Sequence, residues 1–261
     1  MIPNNQGLET SIRNRLNTEF VGQQLHYYPS LTSTMDTARK AAKEGAAEGT
    51  VVIANTQTAG RGRLGRAWLS PKGSLSMSLI LKPSLDNLPQ LIMIASLAVV
   101  RAIKEVAGLE TQIKWPNDVL IKGKKVCGIL IENEVKGDKV DFAIIGIGIN
   151  VNLNPSAFPE ISEIATSLSH ELGKEIPKAK FTTTLLFELE QLYLEAQAGA
   201  PLYKEWRGRL ETLGRWIQVK TGNTTEQGRT ETVTATGNLI LRRADGSLTE
   251  IVAGDVTVLK D

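Results

Sequence analysis

The sequence contains few of the residues on which many enzymes and metal sites depend. Only one cysteine (Cys127) and two histidines (His26 and His170) occur among its 261 residues. A disulfide framework and a Cys/His zinc site therefore cannot be built within one chain. A covalent enzyme intermediate on cysteine or histidine likewise has almost no candidate residue.

An excess of one charge sign and long apolar runs are also absent. With 30 basic and 28 acidic residues the formal net charge is only +2, so any anion site must be local. No run of about 18 apolar residues occurs, and the start MIPNNQGLETSIRNR lacks a signal segment. We expect a cytoplasmic protein with no membrane anchor and no nucleic-acid partner.

The remaining composition is that of an ordinary folded chain. Hydrophobic residues make up 41% and charged residues 22%, which argues against extensive disorder. The length suits one large domain with one small domain. The sequence should therefore form a substantial core.

Hydrophobic periodicity predicts the order of the elements. The first are a strand at QLHYYPSL, a helix at TSTMDTARKAAKEGAAEG, a buried strand at TVVIAN, an alternating strand at SLSMSLIL and a core helix from Asp86 or Asn87 to Gly108. Three β-rich runs, TQIKWPNDVLI, KKVCGILIENEV and DFAIIGIGINVN, then predict an antiparallel meander, and two helices follow at FTTTLLFELEQLYLEAQAG and PLYKEWRGRLETL. We predict an α+β fold with a mixed, antiparallel-rich β-sheet flanked by helices that lie on one face.

The character of the sequence changes at Arg215. Short strands follow at WIQVKTG, TVTATG, LILRRADG and LTEIVAGDVTVL, which favour a small β-barrel appended to the larger domain. We therefore divide the chain into a larger domain at residues 1–212 and a smaller one at residues 213–261.

The segment AGRGRLGRAW, residues 59–68, carries glycines at the spacing G-x-G-x-x-G, with arginines between them and no acid in the segment. These residues are Gly60, Gly62 and Gly65, and Arg61, Arg63 and Arg66. A dinucleotide fingerprint needs a strand before it and a helix after it, whereas here the segment joins two predicted strands. A kinase glycine loop would need H-R-D and D-F-G, which the chain lacks. Two interpretations stay open. The segment is either a flexible loop whose guanidinium groups bind an anion, or an exposed hairpin whose arginines are solvated.

Further motifs point to a family. TSTMD, QTAGRGRLGRAW, KWPND, GKKVCGIL and GIGIN, in this order, resemble the biotin protein ligases, and the resemblance covers roughly residues 25–260. It implies a class II synthetase-like, biotinyl/lipoyl ligase-like catalytic domain with an SH3-like C-terminal β-barrel. Members of this family activate the carboxylate of biotin with MgATP to form biotinyl-5'-AMP, then transfer biotin to one lysine of a carrier protein.

The resemblance assigns biotin contacts to several residues. Ser33, Thr34 and Gln57 would bond the ureido ring, although a Ser-Thr pair before a helix is also a common cap. Met35 stands where the family often has asparagine. Gly128 would let biotin approach the backbone closely.

The same resemblance assigns the segment 59–68 to closure over the ligand. Gly60, Arg61, Gly62 and Arg63 would cover the biotinyl-adenylate and keep water away from the mixed anhydride. Arg61, Arg63, Arg66 and Trp68 would contribute to the ATP site. We expect the segment to be mobile when empty and ordered when a ligand is bound.

The family resemblance assigns catalytic roles to Lys125, Arg63 and Asp118. Lys125 would contact the biotin carboxylate and the α-phosphate. The alternative interpretation is that Lys125 is a solvated lysine in a turn, without a catalytic role. Asn117 and Asp118 are candidates for nucleotide and Mg²⁺ contacts, and Asp118 is alternatively a base for the incoming amine.

Gly148 and Asn150 of GIGIN are expected beside the adenylate, although such strand glycines also serve in packing. We expect Trp115 to pack in the core. The implied substrates are biotin and ATP with Mg²⁺, and the implied partner is the biotin carboxyl carrier protein of acetyl-CoA carboxylase.

Two competing functions stay open, a lipoate ligase and a non-catalytic biotin-binding protein. The arginine-containing segment 59–68, called the arginine segment below, disfavours a lipoate ligase. Its positive charge and that of Lys125 are suited to phosphate, which disfavours a non-catalytic binding protein. Some family members also carry a DNA-binding repressor domain of roughly 60 residues, whereas about 25 residues precede the predicted core here. We therefore expect a ligase without repressor function, while monomer and homodimer both stay open.

Overall fold

The computed structural model of the chain describes residues 6–259. Residues 1–5 and 260–261, at the outer ends of the two predicted domains, lie outside this range. Within the described residues the α-helices are α1 (Gln6–Arg13), α2 (Thr34–Lys43), α3 (Leu91–Ala107), α4 (Leu168–Leu172), α5 (Lys178–Gln197) and α6 (Leu202–Arg209). None of these helices is both long and apolar enough to cross a membrane.

A large mixed sheet forms the centre of the molecule. Its strands are β1 (Leu25–Leu31), β2 (Val51–Gln57), β3 (Ser74–Leu81), β4 (Gln112–Lys114), β5 (Asp118–Ile121), β6 (Lys124–Lys136) and β7 (Lys139–Asn150). Their spatial order is β1-β2-β3-β7-β6-β5-β4. Only β1 and β2 pair in parallel, and β4 to β7 form the predicted antiparallel meander.

Helices cover both faces of this sheet, so the prediction of helices on one face was wrong. On one side, α3 and α5 pack in the large core cluster, and on the other side Met35 and Ala38 of α2 pack against Val52, Ile80 and Ile144. Every residue of β3 is buried. The polar members of SLSMSLIL therefore face a covered surface and not solvent, which the alternating pattern could not distinguish.

The run TQIKWPNDVLI forms two strands and not one. It breaks at Trp115–Asn117, where Pro116 has no amide hydrogen to donate to a ladder. Trp115 is 2% exposed, and its indole Nε1 donates to the carbonyl of Gly237 at 2.9 Å, which confirms that Trp115 packs in the core. The turn sets Asn117 just before β5 and Asp118 at its first position, in register with Gly128 of β6.

Local signals place the start of α2 and both ends of α3. Ser33 caps α2, and its Oγ accepts from the amide of Asp36 at 3.4 Å, so the predicted cap is confirmed. Helix α3 begins at Leu91, a few residues later than predicted, because Leu88–Gln90 form a 3-10 turn. It ends as predicted at Gly108, whose φ of 67° is the left-handed conformation that glycine adopts without strain.

The C-terminal region is an antiparallel sheet. Its strands are β8 (Trp216–Thr221), β9 (Thr224–Val233), β10 (Leu239–Arg242), β11 (Leu248–Ile251) and β12 (Asp255–Val258). The order is β11-β10-β9-β8-β12, and within residues 6–259 no pairing joins β11 to β12. The small β-region is thus confirmed, but the predicted barrel is not closed by backbone pairing.

Candidate active site

A pocket opens on the α2 face of the large sheet, over glycines of two neighbouring strands. It contains about 460 Å³ of empty space, part of it open to solvent. Gly148 on β7 lies in register with Gly128 on β6 and with Ser76 on β3. Because residues two apart on a strand share a face, Gly146 lies on the same floor. The absence of side chains at these positions lets another group approach the floor closely.

One end of the pocket is a network of neutral polar groups. The side-chain oxygen of Gln57 accepts from the amide of Thr34 at 2.8 Å and from its hydroxyl at 3.1 Å. The amide nitrogen of Gln57 donates to Ser76 Oγ at 3.2 Å, and Ser78 Oγ donates to Thr34 Oγ1 at 2.9 Å. Hydroxyl and amide groups offer both donors and acceptors. This end therefore suits an uncharged polar group such as a ureido ring.

The other end is cationic. Lys125 Nζ lies 2.7 Å from Asp118 Oδ1 and 5.3 Å from the centre of the Trp68 ring. Arg63 donates to Asn117 Oδ1 at 3.0 Å. Burial lowers the pKa of Arg63 from its ordinary value, and the nearby carboxylate of Asp118 partly opposes this shift. An anionic group of a ligand would be attracted to this end.

Trp68 lies between the two ends, over the glycine floor. A Cβ atom added at Gly148 would lie 2.3 Å from the indole Nε1, and one added at Gly128 would lie 3.0 Å from the ring. The Nε1 of Trp68 is buried and has no hydrogen-bond partner among the described residues. A buried donor without a partner is costly, so this atom is available to a ligand in the pocket.

The arginine segment, residues 59–68, folds over the pocket. Arg63–Gly65 form a 3-10 turn, and Leu64 takes a φ of 55°. Arg61 contacts Asp36 of α2 at 2.7 Å and Glu132 of β6 at 3.1 Å. Acids from distant parts of the chain thus supply the partners that the segment itself lacks.

The structure gathers most of the predicted site residues around this pocket. Those that line it are Thr34, Gln57, Arg61, Gly62, Arg63, Trp68, Asn117, Lys125, Gly128 and Gly148. Sequence reasoning missed Met35 as a lining residue, and it also missed Ser76 and Gly146. The alternating serines of SLSMS and the repeated glycine of GIGIN were the available signals for the last two.

Five predicted residues do not line the pocket. Ser33 caps α2, and Asp118 reaches the pocket through Lys125. Gly60 lies behind Trp68, where a Cβ would meet the Trp68 carbonyl oxygen at 2.5 Å. Arg66 pairs with Asp255, and the buried Asn150 donates to the carbonyl of Thr166 at 3.0 Å.

The metal prediction rests on Asp118 alone. Within residues 6–259 no group of three or more His, Cys, Asp or Glu residues could hold a metal ion. Mg²⁺ commonly binds through one or two carboxylates together with substrate phosphates. The single carboxylate of Asp118 beside the cationic end therefore fits a magnesium ion that arrives with a nucleotide, and does not fit a metal held by protein ligands alone.

Comparison with known proteins agrees with this geometry. The model of the biotin/lipoate A/B protein ligase family matches residues 27–150, and that of the biotin protein ligase C-terminal domain matches residues 212–259. The bifunctional ligase/repressor BirA of Bacillus subtilis (strain 168) is 42% identical over 254 residues, which cover 95% of this chain and 78% of that protein. The biotin–[acetyl-CoA-carboxylase] ligase of Mycobacterium tuberculosis (strain ATCC 25618 / H37Rv) is 32% identical, with 97% and 96% covered.

A solved structure shares the fold over nearly its whole length. The biotin protein ligase from Aquifex aeolicus in complex with biotin and ATP superposes with a TM-score of 0.79 at 29% identity, and the match covers 92% of this chain and 100% of that one. Both family models, the extent of the sequence identity and the shared fold lead to one conclusion: this chain belongs to the biotin protein ligase family.

Proposed function

We propose that this chain joins biotin to a carrier protein in two steps within the pocket. Biotin and MgATP first form biotinyl-5'-AMP and pyrophosphate. The amine of a carrier lysine then attacks the carbonyl carbon of the mixed anhydride, an amide bond forms, and AMP leaves. The enzyme class is a ligase that forms a C–N bond, as in the relatives named biotin–[acetyl-CoA-carboxylase] ligase.

The observation that carries this proposal is the polarity of the pocket. A neutral hydrogen-bonding end at Thr34, Gln57 and Ser76 lies at the opposite end from the cationic groups of Arg63 and Lys125. Biotin has the same arrangement, with an uncharged ureido ring at one end and a carboxylate at the other. The pocket therefore fits the substrate in one orientation, which brings the carboxylate to Lys125.

Each charged group then has a role in the reaction. Lys125 neutralises charge that develops between the biotin carboxylate and the α-phosphate, because an ammonium group can follow the transferring atoms. Asp118 holds Lys125 and is a candidate both for binding Mg²⁺ and for accepting the proton of the incoming amine. When bound, Mg²⁺ would neutralise charge on the nucleotide phosphates.

The decisive assay is transfer of label to a carrier domain. The protein is incubated with MgATP, radiolabelled biotin or lipoate, and the biotin carboxyl carrier domain of acetyl-CoA carboxylase. A carrier whose acceptor lysine is replaced by arginine serves as the control. We expect biotin on the wild-type carrier only. Transfer of lipoate would favour a lipoate ligase, and biotin binding without transfer would favour a non-catalytic binding protein.

We also propose that the protein acts in the cytoplasm and does not repress transcription. The net charge of +2 offers no broad attraction to DNA, although the Bacillus subtilis relative is named a ligase/repressor. A gel-shift experiment with DNA from upstream of biotin genes tests the absence of repressor function, and a shift dependent on biotin and ATP would contradict it.

The oligomeric state stays open, and light scattering would distinguish a monomer from a homodimer. We assign the pocket to residues 1–212 and the C-terminal sheet to residues 213–261.

A further inference from the structure

The guanidinium groups of the arginine segment have different surroundings. That of Arg63 lies inward and donates to Asn117 Oδ1 at 3.0 Å in the wall of the pocket. Those of Arg61 and Arg66 contact carboxylates from other elements. Arg63 thus faces the pocket without an ion-pair partner among the described residues, whereas Arg61, which also lines the pocket, and Arg66 fasten the segment to the rest of the protein.

The Arg66 contact joins the arginine segment to the C-terminal sheet. Both terminal nitrogens of Arg66 donate to the carboxylate of Asp255, with Nη1 to Oδ1 at 3.1 Å. Asp255 is the first residue of β12 and pairs with Lys220 of β8 in the C-terminal sheet. The guanidinium holds the pKa of Asp255 below its usual range, so the carboxylate stays charged at neutral pH. A bidentate pair of this kind fixes orientation as well as distance.

Besides these ion pairs, the segment is held by the contact of Arg63 with Asn117 and by Trp68, whose ring packs on Gly128 and Gly148. The backbone bonds from Gly62 to Arg66, from Arg66 to Arg63 and from Trp68 to Gly60 lie within it and would move with it. Leu64 at its tip is 69% exposed, so no apolar anchor is present there. Between Trp68 and the base of the segment, its position over the pocket therefore depends on the side-chain contacts of its arginines.

We propose that Asp255 is a positioning residue that holds the arginine segment closed over the pocket through Arg66. The C-terminal sheet thereby controls how long an activated ligand stays in the site. This second statement rests on the proposed function, because it concerns the retention of biotinyl-5'-AMP.

The expected effect is modest because both partners are partly exposed. The side chains of Arg66 and Asp255 are 64% and 38% exposed, and an exposed ion pair shifts an equilibrium by up to about fivefold. Removal of the Asp255 charge should therefore raise the open fraction of the segment about threefold to fivefold. Arg61 and Arg63 keep their own contacts, so the arginine segment should still occupy its closed position for part of the time.

The test compares Asp255→Asn with Asp255→Glu and with Glu231→Gln as a matched control. Glu231 forms an exposed ion pair with Arg242 in the same sheet and has no contact with the arginine segment. The first measurement is the rate of tryptic cleavage after Arg61, Arg63 and Arg66 in the folded protein without ligand. We expect faster cleavage in Asp255→Asn, partial recovery in Asp255→Glu, and the wild-type rate in Glu231→Gln.

The second measurement follows retention of the intermediate. Each variant is loaded with radiolabelled biotin and MgATP without a carrier, and loss of labelled biotinyl-5'-AMP is timed during a chase with unlabelled biotin. We expect about threefold to fivefold faster loss from Asp255→Asn alone. An unchanged cleavage rate would overturn the positioning role, and faster cleavage with unchanged loss would overturn the control of retention. If the wild type forms no biotinyl-5'-AMP, the proposed function fails, while the cleavage comparison still decides the role of Asp255.

Discussion

Single side chains divide the pocket into a neutral end and a cationic end. The neutral end at Thr34 and Gln57 could be assigned from the family motifs, and the cationic end at Lys125 likewise. What sequence could not supply was the partner of each group. Asp36, Glu132 and Asp255 reach Arg61 and Arg66 from distant positions in the chain, and no local pattern encodes contacts between residues so far apart.

Lys125 should be required for activation of biotin. We expect Lys125→Ala to slow biotin-dependent ATP–pyrophosphate exchange about 10²–10³-fold, the usual effect of removing one group that stabilises developing charge. Lys124→Ala is the matched control, since Lys124 is the neighbouring residue on the same strand and is exposed. A near-normal exchange rate in Lys125→Ala would rule out the proposed role.

Cys127 should be inert in the folded protein. It is fully buried, and burial raises the pKa of its thiol well above the usual range. Because the thiolate is the reactive form, we expect almost no alkylation by iodoacetamide at pH 8 and complete alkylation in guanidinium chloride. As the only cysteine in the chain, it reports on unfolding without ambiguity. Rapid labelling of the native protein would show that β6 opens readily.

Among strands and helices, the sequence was most informative where a local signal decides the structure. The cap at Ser33 and the terminator at Gly108 both lie where the patterns placed them. Burial on both faces of β3 could not be read in the same way. An alternating strand predicts one covered face, and only the tertiary position of α2 reveals that the polar face is covered too.

The glycines of β6 and β7 illustrate the same limit. Their spacing indicated either close ligand approach or packing, and the structure shows that Gly148 lies directly beneath Trp68. The identity of the residue above a strand depends on how a distant segment folds back. GIGIN alone could therefore not indicate which side chain lies on the floor.

Gly148→Ala should damage the pocket without unfolding the sheet. The added Cβ would lie 2.3 Å from Trp68 Nε1, so the indole must leave the floor or β7 must shift. Such overpacking typically costs about 1–3 kcal/mol, and we expect the Kd for biotin to rise about tenfold by calorimetry, with altered tryptophan fluorescence.

Gly208→Ala provides the comparison for this substitution, because a Cβ there meets nothing within 4 Å. Gly208 lies within α6, where alanine is favoured over glycine. This variant should keep wild-type biotin binding. Equal affinity in the two variants would contradict the placement of Trp68 on the glycine floor.

At the scale of the molecule, the C-terminal sheet and the larger region share one buried cluster within residues 6–259. Ile217, Val219 and Leu239 of the C-terminal sheet belong to the same buried cluster as Met93 of α3. The change in sequence character near Arg215 indicated a separate small domain, but composition gives no information on how two regions pack. At their junction Thr212 is fully buried, although Gly214, Arg215 and Trp216 just after it are exposed.

Thr212→Val should lower the free energy of unfolding of the protein. Thr212 is fully buried, and its Oγ1 accepts from the amide of Trp115 at 3.0 Å. Valine has a similar shape but no acceptor, so the buried amide loses its partner at a cost of about 1–3 kcal/mol. For a chain of this size we expect the Tm to fall by about 2–10 °C.

The form of that unfolding transition is as informative as its midpoint. Because the buried cluster and the Trp115 contact with Gly237 span both regions, we expect a single transition by calorimetry in the wild type and in Thr212→Val. Thr225→Val, at an exposed position of β9, should leave the Tm unchanged within about 1 °C, since surface substitutions rarely exceed 0.5 kcal/mol. Two resolved transitions would mean that the C-terminal sheet unfolds independently. In that case an ion pair from Asp255 could hold the arginine segment only while the sheet itself remained docked.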